Sequence, residues 1–143
     1  MTQLTTTTKT ISEKDIARKW HIVDANKIVL GRFATQISTL LIGKGKTNFS
    51  PNLDSGDYVV VINAKHIKVT GTKEKDKVYT RYSGYPGGLK KVPYFRQHEK
   101  DCRKIIENAV SGMLPKNKHR DRRMRRLFVF PENEHPYAEK VNN

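Results

Sequence analysis

Cysteine, acidic side chains and long apolar runs are all scarce in this 143-residue sequence. Cys102 is the single cysteine, so an internal disulfide is excluded, and a reducing compartment fits the composition. No segment approaches the ~20 consecutive apolar residues of a membrane-spanning helix. The first 20 residues lack the apolar core of a secretory signal. We therefore expect no membrane partner and a cytoplasmic location.

The shortage of acidic residues leaves a large excess of positive charge. The chain has 14 Asp and Glu against 28 Lys and Arg, a formal net charge of +14. Such an excess repels itself in the folded state and is best tolerated when a polyanion neutralises it. Nucleic acid is the commonest such partner. A basic protein of the membrane surface would need a long amphipathic or lipidated segment, and the sequence contains neither.

The apolar pattern predicts an α/β fold. Residues 20–25, WHIVDA, have the bulk of a short strand, and the apolar spacing from Leu30 to Leu41 predicts a helix that ends at Gly43. The β-branched run Tyr58–Ile62 is typical of a strand covered on both faces. A strand, a helix and a further strand in this order indicate a βαβ crossover and a parallel sheet.

The remaining periodic segments predict two or three strands and a second long helix. His66–Thr70 alternates like a strand or strand edge, Val78–Tyr82 is a candidate strand, and Leu127–Phe130 is a closing strand. Apolar pairs four residues apart predict a helix over Glu99–Leu114, ended by Pro115. We expect a flexible N-terminal extension at 1–19, one domain at 20–136 and a polar tail at 137–143.

Two basic segments are the strongest functional signal. The first, Lys73–Lys91, mixes cations with tyrosines and a glycine-rich stretch, and the second, Lys116–Arg126, is almost wholly basic. A solvated charged face is the alternative, but only Asp121 opposes the charge of the second segment. Arginines can hold phosphates in bidentate geometry. Tyr82 and Tyr85 are candidates for stacking on unpaired bases, whereas Tyr79 is expected to pack.

Lys44 and Lys46 lie in the loop GKGKT, which ends like a phosphate-binding P-loop. That motif needs a glycine where this chain has Leu40, and it needs a helix after the loop rather than before it. Contact with a backbone phosphate, or simple solvation, explains the two lysines better. His98 and Cys102 lie four residues apart on a predicted helix, but a metal site needs more ligands, so we expect no metal.

The sequence offers no constellation of catalytic residues. Its spacing places no Ser-His-acid or Cys-His group together, and a nuclease would want carboxylates for metal ions. Asp54 and Asp57 lie close together, but a turn into the following strand explains them. We therefore expect no enzyme, no cofactor and no small-molecule substrate. A nuclease and a free nucleic-acid-binding regulator remain the rival classes.

Several short blocks of sequence occur in one characteristic order. They are WHIVDA at 20–25, LGRFA at 30–34, GKGKTNFSP at 43–51, GDYVVVINA at 56–64, VTG at 69–71, YSGYPGG at 82–88, AVSGMLP at 109–115 and EHP at 134–136. In this order and spacing, the blocks resemble the bacterial-type thirteenth protein of the large ribosomal subunit. The resemblance covers roughly residues 20 to 136.

The resemblance implies a three-layer α/β/α fold with a short, mostly parallel four-stranded sheet, basic RNA-binding loops and terminal extensions. It also implies a structural constituent of the large ribosomal subunit that binds large-subunit ribosomal RNA, lies beside other ribosomal proteins and acts early in subunit assembly. Members of the family can bind their own messenger RNA. Of the two alternatives, the resemblance favours a bacterial ribosome over an organellar one.

The RNA-facing positions of the family fall on the GKGKT loop, on 73–88 and on the loop after Pro115. That last loop usually contains glycines in the family, whereas Lys116–Arg122 has none here. Together with the cations flanking these positions, the expected RNA-binding residues are Lys44, Lys46, Lys73, Lys75, Lys77, Arg81, Tyr82, Tyr85, Lys90, Lys91, Lys116, Lys118, His119, Arg120, Arg122, Arg123, Arg125 and Arg126.

Overall fold

The computed structural model describes residues 11–141, which form a mixed α/β fold with two separate sheets. The strands are β1 (Trp20–Asp24), β2 (Tyr58–Ile62), β3 (Val78–Tyr82), β4 (Leu89–Pro93) and β5 (Leu127–Val129). The helices are α1 (Leu30–Ile42), α2 (Lys73–Asp76), α3 (Tyr94–Lys100), α4 (Arg103–Met113), α5 (His119–Met124) and α6 (Ala138–Val141).

The larger sheet contains three parallel strands in the order β1-β2-β5. Val59 and Val61 point to one face of β2 and belong to the main core, together with apolar side chains of α1 and α4 such as Phe33 and Ile105. Because side chains alternate along a strand, Val60 points to the opposite face, and it is also fully buried. The predicted strand with two covered faces is confirmed.

An aromatic cluster covers that opposite face of the larger sheet. Trp20 stacks on Tyr58 with ring centroids 4.4 Å apart, and Tyr137 lies 5.1 Å from Trp20 and 4.6 Å from Phe128. The four-residue α6 follows Tyr137 and contacts β1. The expected polar C-terminal tail, which the structure describes as far as Val141, therefore contributes the aromatic ring of Tyr137 to the fold.

The single four-stranded sheet implied by the family resemblance is not confirmed. Among the described residues, strands β3 and β4 pair only with each other, as an antiparallel hairpin from Val78 to Pro93. The predicted strand at His66–Thr70 contributes one isolated parallel bridge, between Val29 and Lys68, and its first residue ends a 3₁₀ turn at Ala64–His66. The hairpin therefore forms a second sheet, separate from the larger one.

The predicted helix Glu99–Leu114 is divided in two. Helix α3 ends at Lys100, Asp101 adopts an extended backbone with φ −161° and ψ 94°, and α4 begins at Arg103. The Asp101 carboxylate accepts hydrogen bonds from the backbone N–H of Arg103 at 3.2 Å and from its Nε at 3.0 Å. An aspartate that bonds the backbone two residues ahead favours a helix start over a helix interior.

Residues 11–19, the described part of the expected flexible extension, are fastened to the domain. The Arg18 guanidinium donates to the carbonyl oxygen of Asp54 at 3.3 Å, and the Lys19 N–H donates to the Asp57 carboxylate at 2.9 Å. The carbonyl oxygen of Ala17 accepts a hydrogen bond from Lys46. Residues 1–10 of the expected extension lie outside the described part of the chain.

Candidate nucleic-acid interface

Two of the expected RNA-binding arginines lie inside the protein, around Asp54. Arg126 holds the Asp54 carboxylate with both terminal nitrogens at 2.6 Å, and Nε of Arg123 approaches the same carboxylate at 3.3 Å. Arg123 is 2% exposed and Arg126 is 7% exposed. Their charges are thus neutralised within the fold, which leaves them little capacity to bind an external phosphate.

The arginines determine the protonation of Asp54. Burial raises the pKa of this carboxyl, but the hydrogen bonds and positive charges of Arg126 and Arg123 outweigh burial and bring the pKa below its usual value. Asp54 is therefore a carboxylate at neutral pH. Gly56 lies against this group, because a Cβ there would come within 1.7 Å of the Leu41 carbonyl oxygen and 3.0 Å of Arg126.

Asp57 forms a second internal cluster with Lys46. The Lys46 ammonium contacts the Asp57 carboxylate and also donates to the carbonyl oxygens of Ala17 at 2.7 Å and Ser55 at 2.8 Å. Nε2 of His21 lies 3.0 Å from the other Asp57 oxygen. Burial raises the pKa of Asp57, but hydrogen bonds from Lys19, Lys46 and His21 outweigh burial and bring the pKa below the usual value.

The two lysines of the GKGKT loop therefore have different surroundings. Gly43 ends α1 in the left-handed conformation, with φ 81°, so the loop follows a helix and does not precede one. Lys44 is exposed, whereas Lys46 turns inward to the carbonyl oxygens and Asp57. Of the two, Lys44 alone is open to an external phosphate.

The β3–β4 hairpin presents its cations to solvent. In the register of the hairpin, Arg81 lies directly opposite Lys90, and Thr80 lies opposite Lys91. All residues from Thr80 to Gly87 are exposed. The exposed members of the expected interface in and beside the hairpin are Lys73, Lys75, Arg81, Tyr82, Tyr85, Lys90 and Lys91.

The base of the hairpin is attached to the core. Tyr79 packs against the main apolar cluster, and the Lys77 ammonium lies 5.3 Å from the centre of its ring. Burial, with a smaller contribution from Tyr94, raises the pKa of Tyr79 to about 12. Tyr82 and Tyr85 instead expose 63% and 76% of their surface. The expectation that Tyr79 packs is confirmed, and the other two rings are accessible to a partner.

The tip of the hairpin depends on glycines. Gly84 and Gly87 have φ values of 90° and 75°, which L-residues rarely adopt. A Cβ on Gly88 would lie 2.0 Å from the Ser83 hydroxyl oxygen. The motif Tyr82–Gly88 thus specifies one tight, exposed turn.

The second basic segment, Lys116–Arg126, is partly helical. Helix α5 turns Arg123 inward towards Asp54, while Arg122 and Arg125 point outward. Lys116 and Lys118 are exposed before the helix, and His119 and Arg120 are half-buried. Of the expected RNA contacts in this segment, the four exposed cations are the most accessible, namely Lys116, Lys118, Arg122 and Arg125.

Asp54 and Asp57 are the residues whose role the sequence interpretation missed. The sequence assigns them to a turn, yet each is buried and holds one or more basic side chains. The available signal was their position, since two carboxylates directly precede a buried strand in a chain poor in acids. Acidic residues almost never become buried unless they are paired.

The two residues considered for metal binding each have other partners in the fold. His98 lies in α3, where its Nε2 is 3.1 Å from the Lys65 carbonyl oxygen, and Cys102 is buried in the main core. Burial raises the pKa of the Cys102 thiol, so it is not a reactive thiolate. Within residues 11–141, no group of three or more His, Cys, Asp or Glu side chains could hold a metal ion.

No helix within the described residues has both the length and the apolar character needed to cross a membrane.

Comparison with known proteins agrees with the blocks in the sequence. Residues 18–136 match the family described as "Ribosomal protein L13". The chain is similar to large ribosomal subunit protein uL13 of Chloroflexus aggregans, with 47% identity over 132 residues, or 91% of this chain and 92% of the relative. It is 50% identical to the uL13 of Clostridioides difficile over 124 residues, or 87% of each protein. The chain belongs to the ribosomal protein L13 family.

Proposed function

We propose that this protein is a structural, non-enzymatic constituent of the large ribosomal subunit. The observation that supports the proposal most strongly is the family match over residues 18–136. The relatives cover the chain nearly end to end and carry the name of a large-subunit protein. A net charge of +14 agrees with a place inside a large RNA assembly.

The proposed RNA interface consists of exposed cations on two projections from a rigid base. One projection is the hairpin, with Lys73, Lys75, Arg81, Lys90 and Lys91, and the other contains Lys116, Lys118, Arg122 and Arg125. Lys44 extends this surface. The half-buried Lys46 and the buried Arg123 and Arg126 are assigned a role in the fold. We expect such a surface to recognise the backbone and shape of RNA more than its sequence.

The mechanism follows from charge neutralisation. Each phosphate that the protein neutralises releases condensed counterions, so affinity should fall steeply as salt rises. By neutralising phosphates where RNA helices approach each other, the protein would support an early step of subunit assembly in the cytoplasm. Its proposed partners are large-subunit ribosomal RNA and adjacent ribosomal proteins, with its own messenger RNA as a further candidate.

Sedimentation of a cell extract tests the proposal directly. The protein should migrate with large subunits in moderate salt. Release of the protein into the slowly sedimenting fraction would favour a free regulator and contradict a ribosomal role. Turnover of RNA by the purified protein, with or without added metal ions, would favour the rival nuclease.

Titration with large-subunit ribosomal RNA tests the interface. The variant R81Q/K90Q/R122Q/R125Q should flatten the plot of log affinity against log salt by about 3 to 4, at roughly 0.9 for each duplex phosphate that is no longer neutralised. The matched control is K100Q/K104Q, which removes two exposed cations at the end of α3 and the start of α4, outside the proposed surface, and it should change the slope little. An equal change in slope per charge removed in both variants would show nonspecific attraction and reject the assignment.

A further inference from the structure

The strand register gives the β3–β4 hairpin two chemically different faces. Side chains of directly opposed residues in an antiparallel pair point to the same face. One face, here called the inner face, carries Tyr79, Val92, Arg81 and Lys90. The opposite, outer face carries Val78, Pro93, Thr80, Lys91, Tyr82 and Leu89.

The inner face becomes cationic towards the tip of the hairpin. Tyr79 and Val92 are half-buried at its base, and the next pair along the strands is Arg81 opposite Lys90, both exposed. Like charges directly opposite each other destabilise a strand pair. This arrangement favours a bound anion that bridges the two cations, as an RNA phosphate would.

The outer face is apolar and open. Val78, Tyr82 and Leu89 expose 45%, 63% and 51% of their surface, and Tyr82 and Leu89 are directly opposed. Lys91 lies on the same face, two residues closer to the base than Leu89. This face therefore joins a flat aromatic and aliphatic platform to a single cation.

Resting on the proposed ribosomal function, we propose that the outer face is a binding platform for an unpaired RNA nucleobase, while the inner face binds RNA phosphate. A base stacked on Tyr82 and Leu89 leaves its phosphate near Lys91. An apolar surface of another protein would instead have to bury the Lys91 ammonium without a counterion, which is costly. The charge of the outer face thus favours a nucleotide over an apolar protein partner.

The test compares two hairpin variants of the full-length protein on two probes. The probes are a single-stranded RNA octamer with a central 2-aminopurine and the same octamer in a duplex with its complement. Y82S/L89S should weaken binding to the single strand about tenfold and change duplex binding less than twofold, because stacking needs an accessible base. Y82F retains the ring and should retain single-strand affinity and 2-aminopurine quenching.

R81Q/K90Q provides the matched comparison. It should reduce the salt dependence of both probes and leave the ratio of single-strand to duplex affinity unchanged. Because all the substituted side chains are exposed and Tyr79 at the base is retained, each variant should remain folded, which thermal denaturation checks.

Three other results overturn the inference in distinguishable ways. Equal weakening on both probes by Y82S/L89S, or no weakening, would reject a base platform and leave the ribosomal proposal intact. Normal single-strand binding by Y82S/L89S, together with loss of that variant from large subunits, would assign the outer face to a protein partner. Absence of salt-dependent binding of wild-type protein to either probe would contradict RNA binding itself.

Discussion

The two basic segments both carry an excess of cations but use those cations differently. In the hairpin, Arg81, Lys90 and Lys91 are exposed, and the side chain directly opposite Arg81 is another cation. In Lys116–Arg126, two of the five arginines are buried on Asp54. The segment with the denser charge therefore uses part of that charge to stabilise the fold.

The difference shows that the number of basic residues in a segment is not the number that a partner can contact. Arg123 and Arg126 connect α5 and the start of β5 to the loop before β2, so they fix the second projection to the rigid base. The hairpin is held instead by Tyr79 at its base, which packs against the main apolar cluster. One projection is anchored by buried ion pairs and the other by apolar packing.

The largest expected effect is on the anchoring arginine. Arg126→Met should lower the free energy of unfolding by about 3 kcal/mol or more, because it removes the principal partner of a buried carboxylate. Urea denaturation followed by circular dichroism measures the change. The matched control is Arg125→Met on the exposed side of the same segment, which should stay within about 0.5 kcal/mol of wild type.

Equal stability of these two methionine variants would contradict the distinction between anchoring and accessible arginines. The RNA affinities of the two folded variants should also be compared. If Arg126→Met loses more affinity than Arg125→Met, Arg126 contacts RNA and the distinction is wrong.

The next effect is on the response of stability to acid. Because the folded protein holds the pKa of Asp54 below its ordinary value of 3.8, Asp54 contributes stability above that value and loses the contribution as pH falls through its folded pKa. Asp54→Asn should therefore be less stable than wild type at pH 7, with a smaller difference near pH 2. Denaturation at pH values from 2 to 7 measures this.

The control for the acid experiment is Asp121→Asn, which changes an exposed carboxylate of the same basic segment. Its stability should run parallel to that of wild type. A constant difference between Asp54→Asn and wild type across the whole pH range would show that the Asp54–Arg126 pair does not respond to protonation.

The smallest effect is expected at the base of the hairpin. Tyr79→Phe should change the free energy of unfolding by less than about 1 kcal/mol, and should raise it, because the buried hydroxyl has no hydrogen-bond partner among the described residues. Thermal denaturation compares it with Tyr82→Phe, an exposed ring expected to have no effect. Clear destabilisation by Tyr79→Phe would reveal a partner for that hydroxyl.

Much of the fold could be predicted from periodicity. The strands Tyr58–Ile62 and Val78–Tyr82 and the helix beginning at Leu30 have the predicted bounds or start, because a run of β-branched residues or a helical apolar stripe has few local alternatives. The division of Glu99–Leu114 was not predicted. It depends on one aspartate whose hydrogen bond competes with the helix at Asp101.

The same distinction between local sequence and tertiary contacts applies to the candidate site. The sequence by itself determined the positive charge, the family blocks, the tight glycine turn after Tyr82 and the buried central strand, because each depends on residue type and local spacing. Only the tertiary structure decided which cations are accessible. Asp54 lies 72 residues from Arg126 in the chain, and the pairing that buries them exists only once α5, β5 and the loop before β2 have come together.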